Sequence, residues 1–354
     1  MNETLLSPLR LLLLGYGHVA QALLPLLASR GDWLAAEFGI RPVISGMATR
    51  RQGYFIHHTG IDAPLLAAAS DPLNSFIEQA IRVENAEAFM SAGKAAGAQI
   101  LLELTTLNPV NGQPALMHIQ SALSNNLDVV TANKGPVAFA LAELQALAHS
   151  HQVQFRYEST VMDGLPIFNL AQFSLPAVGL QAFRAILNTT SSLVLSMVEQ
   201  GYSLEEGIHR AQELGVAEAD PWYDLDGWDA VMKTTILANA LPGGQLTPQQ
   251  VEREGIRHLS PDEIRAAAQA GTPIRLVSYA RISNGVSVAE VRPRPISQDD
   301  ILHMSKGTSS IISLQTEAMG TITLVEHEPL VLQTAYGVLS DLITILRQRQ
   351  PMRR

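Results

Sequence analysis

Apolar residues recur along this chain with two different periods, and the switches between them mark out its elements. From residue 9, LRLLLLGYGHVAQALLPLLAS begins as an apolar run, stops at a glycine turn and resumes with apolar residues at helical spacing. That pattern predicts a buried strand, a tight turn and an amphipathic helix. IRPVISGMATRR predicts a second strand, ending at residues 49–51, and the alanine-rich residues 85–97 predict a helix. AQILLELTT and LDVVTANKGP follow as strands, the latter closing on a polar turn, with PALMHIQSALSNN and AFALAELQALAHSH as the helices after them. Strand–helix alternation of this kind predicts an α/β fold with a parallel, doubly wound sheet over residues 8–155.

Beyond that point the pattern changes. An acidic segment leads into a helical run that ends near Leu241, and PDEIRAAAQAG predicts a weakly hydrophobic helix. IRLVSYARI, VSVAEVRP, SIISLQT and TITLVEH alternate as short strands do in an antiparallel sheet with one exposed face. TAYGVLSDLITILRQ predicts a closing helix, and no repeat or low-complexity tract interrupts the chain.

Composition narrows the picture. The 354 residues suffice for two domains. With 47% hydrophobic and 16% charged residues, large buried surfaces are expected, a subunit interface among them, so a homodimer or higher homo-oligomer is expected too. A net charge of -9 argues against a nucleic-acid partner, which requires basic patches. The absence of cysteine excludes disulfide frameworks and zinc–thiolate sites. Arg10, Gly15, Gly17 and His18 break the apolar N-terminal region, so nothing reaches the roughly 18–20 residues of a membrane span. The same apolar run meets a glycine turn instead of a small-residue cleavage site, and a cytoplasmic protein with no membrane partner is the expectation. His57, His58, His149 and His151 lack a third ligand at metal spacing.

Two stretches carry candidate chemistry. Gly15-Tyr16-Gly17-His18-Val19-Ala20 fits G-x-G-x-x-[GA], with a strand before it and a helix after it. The first glycine permits the tight turn, the second lets backbone approach a pyrophosphate, and the small third residue packs helix on strand. At the end of the second strand, where NAD sites usually carry an acid, Arg50 and Arg51 follow Thr49. Two guanidiniums suit a 2′-phosphate, which favours NADP over NAD. The second stretch, EADPWYDLDGWDAVMK at residues 218–233, places Glu218, Asp220, Asp224, Asp226 and Asp229 before Lys233, with two tryptophans and a tyrosine among them. Only four of the 24 basic residues are lysines (Lys94, Lys134, Lys233 and Lys306), and lysine, unlike arginine, can exchange a proton at useful pH. Asp229 stands four residues before Lys233, on the same helix face.

Several segments together resemble the homoserine dehydrogenases. ELTTLNPVNGQPAL, VVTANKGPVA, YESTVMDGLPIF, AQELGVAEADP and DLDGWDAVMK occur in that family's order and span essentially the whole chain, in the short form without an attached kinase or regulatory domain. The resemblance implies a Rossmann domain over 1–155, an α+β substrate and dimerisation domain over 156–328, and a helix over 329–354 that returns to the first domain. It implies interconversion of L-homoserine and L-aspartate 4-semialdehyde, a step toward threonine and methionine. Lys233 matches the family's proton donor and Lys134 its second lysine. Glu218, Asp224, Asp229 and Thr190 match substrate-side positions, while Asp220 and Asp226 fit turn caps or solvated acids. Thr105, Lys134 and Gly215 match cofactor contacts. Glu158, Val161, Asp163 and Leu165 match a loop that binds a monovalent cation, sodium or potassium.

Two segments depart from the family pattern. AILNTTSSL, residues 185–193, has Ala185 and Thr189 where glycines are expected, although Asn188 and Thr190 are kept. VEHEPLVLQ stands in place of a Gly-Ala-Gly-type loop before the last helix. Both bear on substrate identity more than on reaction type. A dehydrogenase for a related amino-acid aldehyde or hydroxy acid, or a non-catalytic NADP-binding sensor, therefore remains an alternative at this stage.

Overall fold

A computed structural model describes residues 6–217, 220–241, 243–283 and 286–349. The chain divides into two compact units, Met1–Pro166 with Leu330–Arg354, and Ile167–Pro329.

The first unit is built outward from β1 (Ser7–Leu14), whose Leu9, Leu11, Leu12, Leu13 and Leu14 are all buried. A strand buried on both faces belongs inside a parallel sheet covered by helices. The other strands are β2 (Ile40–Thr49), β3 (Gly53–Asp62), β4 (Ile81–Val83), β5 (Ile100–Glu103), β6 (Asp128–Thr131) and β7 (Phe155–Arg156), in the spatial order β4-β3-β2-β1-β5-β6-β7. From β2 to β7 the neighbours run parallel, while β3 and β4 join antiparallel at one edge. The unit is therefore an α/β doubly wound sheet with a mixed edge. Sequence pattern does not reveal β3, because GYFIHHTGID buries only Phe55 and Ile56 and shows no sustained alternation. The order reverses between β1 and β5, and at such a switch point the strand ends open a crevice for ligands.

The last helix, Val331–Arg349, packs on the helix His18–Ser29 within this unit. Ala335, Val338, Leu339, Leu342, Ile345 and Leu346, three or four apart, form its buried stripe and join the core that includes Leu23, Leu24 and Leu27.

The second unit carries a six-stranded sheet ordered β13-β12-β8-β10-β11-β9, from β8 (Leu180–Ile186), β9 (Glu252–Arg253), β10 (Ile274–Ser283), β11 (Val286–Pro295), β12 (Ser310–Thr316) and β13 (Gly320–Glu326). All pairs are antiparallel except β11 with the two-residue β9. The pattern of the sequence marks β10 to β13 but leaves β8 unassigned, since LQAFRAI runs straight into an apolar helix. Helices Thr189–Glu199, Trp228–Ala240 and Pro261–Gln269 pack on β10, which lies inside the sheet. Arg184, Tyr279, Asp299, Asp300 and Gln315 help to line a cavity of about 470 Å³ at this sheet, with Arg184 paired to Asp300 at 2.7 Å.

Leu342 is fully buried. Its replacement by alanine should destabilise the first unit by about 2–5 kcal/mol, the cost of an unfilled apolar site. Urea denaturation followed by circular dichroism measures this, and a variant as stable as wild type would show that the last helix is not part of the core.

Candidate active site

In the first unit the turn after β1 has the shape the glycine motif requires. Gly15 has φ +96 and lies so close to the end of β5 that a Cβ would meet Leu104 O at 2.4 Å and Thr105 N at 2.8 Å. No side chain fits there. Gly17 is the reverse case: a Cβ on it would meet nothing within 4 Å, and Gly17 caps the helix His18–Ser29 without any side-chain cap. The first backbone N–H groups of that helix thus have no side-chain cap, and helix polarity there favours an anion. His18 is exposed, Val19 half-buried, and Ala20 buried against the strand as the motif's small third residue. A dinucleotide pyrophosphate fits this cradle. Arg50 and Arg51 are exposed on the tight turn between β2 and β3, where Gln52 N donates to Thr49 Oγ1 at 3.0 Å. Because Ala48 O accepts from Gly15 N at 2.8 Å, that turn follows directly from the glycine edge of the sheet.

Thr105 and Lys134 stand just past the ends of β5 and β6. Lys134 opens the helix Lys134–Ser150, and Asn133 caps it by accepting from Gly135 N at 3.0 Å. Asn133 Nδ2 donates to Thr105 O at 3.1 Å, so the two strand ends are tied together. Behind them lies Glu103, wholly buried, which sequence reasoning passed over; its signal is a single acid in the apolar run ILLELTT.

The loop after β7 holds the residues matched to a cation site. Glu158 and Val161 are buried, and Glu158 N donates to Asp341 Oδ2 at 2.8 Å. Asp163 takes a left-handed φ of 43, and its Oδ1 accepts from Thr334 Oγ1 at 2.5 Å. Leu165 N donates to Met162 O at 2.8 Å. A Cβ on Gly337 would lie 2.8 Å from Asp163 O, so this loop is packed directly on the last helix.

In the second unit the acidic segment folds around an asparagine. Asn188 ends the loop after β8 and caps the helix Thr189–Glu199, accepting from Ser191 N at 2.8 Å. Its amide nitrogen donates to both acids of interest, Asp224 Oδ1 at 2.8 Å and Asp229 Oδ2 at 3.1 Å. Thr190 Oγ1 lies 2.9 Å from the second oxygen of Asp224 and 3.2 Å from Val216 O. Asp229 Oδ2 also pairs with Lys233 Nζ at 3.1 Å, one helical turn along Trp228–Ala240. Lys233 Nζ donates in addition to Leu187 O at 2.7 Å.

The Lys233 and Asp229 side chains are only 15% and 10% exposed. A solvated i,i+4 pair contributes about 0.3–0.5 kcal/mol and stays in water, whereas burying both ions costs several kcal/mol in desolvation. The cluster is therefore not a surface pair kept for stability. Burial, and then the nearby Asp229 carboxylate, push the Asp224 carboxyl above the ordinary carboxylate range, against the bonds from Thr190 and Asn188 and the attraction of Lys233. Burial and the two acids likewise raise the Tyr223 phenol, whose hydroxyl is buried without a hydrogen-bond partner among the described residues.

Other side chains of the segment are engaged in contacts of their own. Trp222 stacks under Arg257 at 3.7 Å, and Trp228 under Arg253 at 4.3 Å. Asp226 follows the helix Trp222–Leu225 as its C-cap, and its half-exposed carboxylate is in addition held by Arg257 at 2.8 and 3.0 Å. Asp220 accepts from Trp222 N at 3.2 Å, a turn cap. Gly215, with φ +70, ends the helix Leu204–Glu213 and leads into the Val216 carbonyl that Thr190 touches. Glu218 lies outside the described residues. Ala185 is fully buried in β8, while Thr189 is half-buried in the first turn of its helix, beside the cluster.

Residues 166–343 match the homoserine dehydrogenase family model. An NAD(+)-dependent homoserine dehydrogenase of Pseudomonas canavaninivorans is 36% identical over 338 residues, which cover 95% of this chain and 96% of that protein. A homoserine dehydrogenase of Sulfurisphaera tokodaii is 32% identical, with 96% and 99% covered. A solved structure of a putative homoserine dehydrogenase from Archaeoglobus fulgidus has a TM-score of 0.80 at 26% identity, over 96% of this chain and 99% of the other. A hyperthermophilic archaeal homoserine dehydrogenase in complex with NADPH has a TM-score of 0.78 at 25% identity, over 98% and 100%.

The raised Asp224 carboxyl has a consequence for stability with a definite sign. A carboxyl that binds its proton more tightly folded than unfolded contributes most at low pH. That contribution is lost as pH rises from the ordinary carboxylate range through the raised value. Asp224→Asn is neutral throughout, so its melting temperature relative to wild type should become more favourable between pH 4 and pH 8. Thermal denaturation of both proteins across that range tests it, and a constant difference would mean that Asp224 titrates normally.

Proposed function

The chain belongs to the homoserine dehydrogenase family, and from that premise we propose that it interconverts L-homoserine and L-aspartate 4-semialdehyde, with Lys233 as the proton donor and acceptor. It is an NAD(P)-dependent oxidoreductase. The observation that carries the proposal is the buried cluster of Lys233, Asp229, Asn188 and Asp224. A cleft built for an amino acid needs carboxylates for the α-ammonium and a proton-exchanging group for the reacting oxygen, and the cluster supplies both.

The nicotinamide dinucleotide, when bound, supplies or accepts the hydride. In the reducing direction Lys233 Nζ–H passes a proton to the aldehyde oxygen as hydride reaches the carbonyl carbon, giving the alcohol. In the oxidising direction the neutral amine takes the hydroxyl proton. Asp229 and the Leu187 carbonyl hold two of the three ammonium protons and orient the third. Asn188 keeps the two acids apart and correctly turned, and Thr190 fixes the second oxygen of Asp224. Each carboxylate oxygen retains acceptor capacity for the substrate ammonium. Glu218 is assigned to the same ammonium.

The glycine turn with His18, Val19 and Ala20 binds the pyrophosphate, and Thr105 and Lys134, in the same unit, serve the rest of the dinucleotide. Arg50 and Arg51 make NADP the preferred form, through a 2′-phosphate at the turn after β2. A sodium or potassium ion at Glu158, Val161, Asp163 and Leu165 belongs to the same reading; the donors there are oxygens, which suit a hard cation.

Two measurements test this. Lys233→Met should lower homoserine-dependent NADP reduction by about 10²–10⁴-fold, the usual share of a general acid–base, while NADPH affinity stays near wild type. Near-normal turnover in that variant would sink the role of Lys233, and wild-type turnover only with other alcohols would replace homoserine as substrate. Arg50→Ala with Arg51→Ala should weaken NADPH binding by about tenfold or more and leave NADH binding unchanged, as expected for loss of charge-assisted bonds to one phosphate. Equal losses for both cofactors, measured by fluorescence titration, would remove the basis for an NADP preference.

A further inference from the structure

We propose that Glu103 is a positioning residue for the dinucleotide site, holding the glycine turn and the Lys134 helix in one fixed relation through the ends of β5 and β6. The proposal rests on the dinucleotide-binding reading above and goes beyond it by assigning work to a fully buried residue at the end of β5.

Glu103 is the last residue of β5, in register with Leu14 of β1, the residue before Gly15. It is wholly buried and forms no ion pair among the described residues. A buried carboxyl without a cation is costly unless donors converge on it, and here they do. Thr105 N donates to Oε1 at 3.1 Å, the Thr105 hydroxyl makes a short contact with the same oxygen, and Thr131 Oγ1 donates to Oε2 at 2.8 Å. Burial pushes the carboxyl above its usual range, and these bonds oppose that rise.

Each donor leads to a part of the site. The Thr105 nitrogen that Glu103 holds is the atom a Cβ on Gly15 would approach to 2.8 Å, and the preceding Leu104 carbonyl would lie at 2.4 Å. The peptide that shapes the pyrophosphate turn is thus fastened from behind by the carboxyl. On the other side, Thr131 Oγ1 accepts from Asn133 N at 3.0 Å, and Asn133 caps the helix that Lys134 opens. Asn133 Nδ2 closes the loop on Thr105 O at 3.1 Å. One acceptor-rich group therefore registers three strand ends at the switch point of the sheet. Removing it frees the Leu104–Thr105 peptide and the Asn133 turn together, and both border the ground on which the dinucleotide sits.

The test uses the full chain and two substitutions that keep side-chain shape. Glu103→Gln replaces one acceptor with an amide donor that faces Thr131, and Thr131→Val deletes the hydroxyl that links Glu103 to Asn133. NADPH affinity by fluorescence titration, the KM for homoserine and the melting temperature are measured for each. Both variants should weaken NADPH binding by about tenfold or more, the effect of a lost buried hydrogen bond expressed at the site, while the homoserine KM stays within about twofold. Wild-type NADPH affinity in both variants would overturn the proposal. So would parallel losses in NADPH affinity, homoserine KM and melting temperature, which mark a merely structural role. If one variant fails to fold, the other decides by the same criteria. Failure of the wild-type chain to bind any nicotinamide dinucleotide would instead overturn the reading on which the proposal rests.

Discussion

Charge withdrawn from water has to be given donors, and that constraint organises the second unit. Asp229 comes close enough to disfavour ionisation of Asp224, and the amide of Asn188 donates to both. The same asparagine begins a helix, so its position is set by backbone geometry before any side-chain bond is made. Lys233 then finds Asp229 one turn down its own helix and the Leu187 carbonyl immediately before Asn188. Without the asparagine the two acids would lose a donor that they share. The ammonium would lose the alignment that gives it one proton to exchange.

The first unit solves a related problem in the same way. Asn133, again the cap of a helix, turns its side chain back to Thr105, and behind it a buried acid is satisfied by hydroxyls and a backbone N–H instead of a cation. In both units a helix cap joins local chain geometry to a polar network at the end of a strand. Buried networks of this kind are rigid when every member is satisfied, and they are poor places for substitution for the same reason. The tryptophans of the acidic segment do separate work, Trp222 stacking under Arg257 and Trp228 under Arg253, both from a segment further along the chain.

The departures from the family pattern fall into two kinds. Ala185 sits in the middle of a sheet, between β10 and β12, where a methyl group is simply core. Thr189 begins the helix that Asn188 caps and lies half-buried beside the cluster. In the segment VEHEPLVLQ, Leu330 and Leu332 are exposed at the start of the last helix.

The sequence by itself determined the parts of this protein that depend on short-range periodicity. These are the strand, glycine turn and helix at residues 9–29, the alternation that makes a doubly wound sheet, the late antiparallel strands, and the i,i+4 spacing of Asp229 and Lys233. Each is a statement about neighbours within a few residues, which the order of residues encodes directly. Only the tertiary structure decided the rest. The β3 strand has too few buried positions to show a period, and β8 becomes recognisable only between its two partners. Asp226 reads as a turn acid, and only folding brings Arg257 to it from a distant segment. Asn188, Glu103 and Thr131 acquire meaning from partners 28 to 41 residues away. Hydrogen-bond satisfaction of buried charge is a long-range property, and no local pattern in a chain can record which donors folding will bring to it.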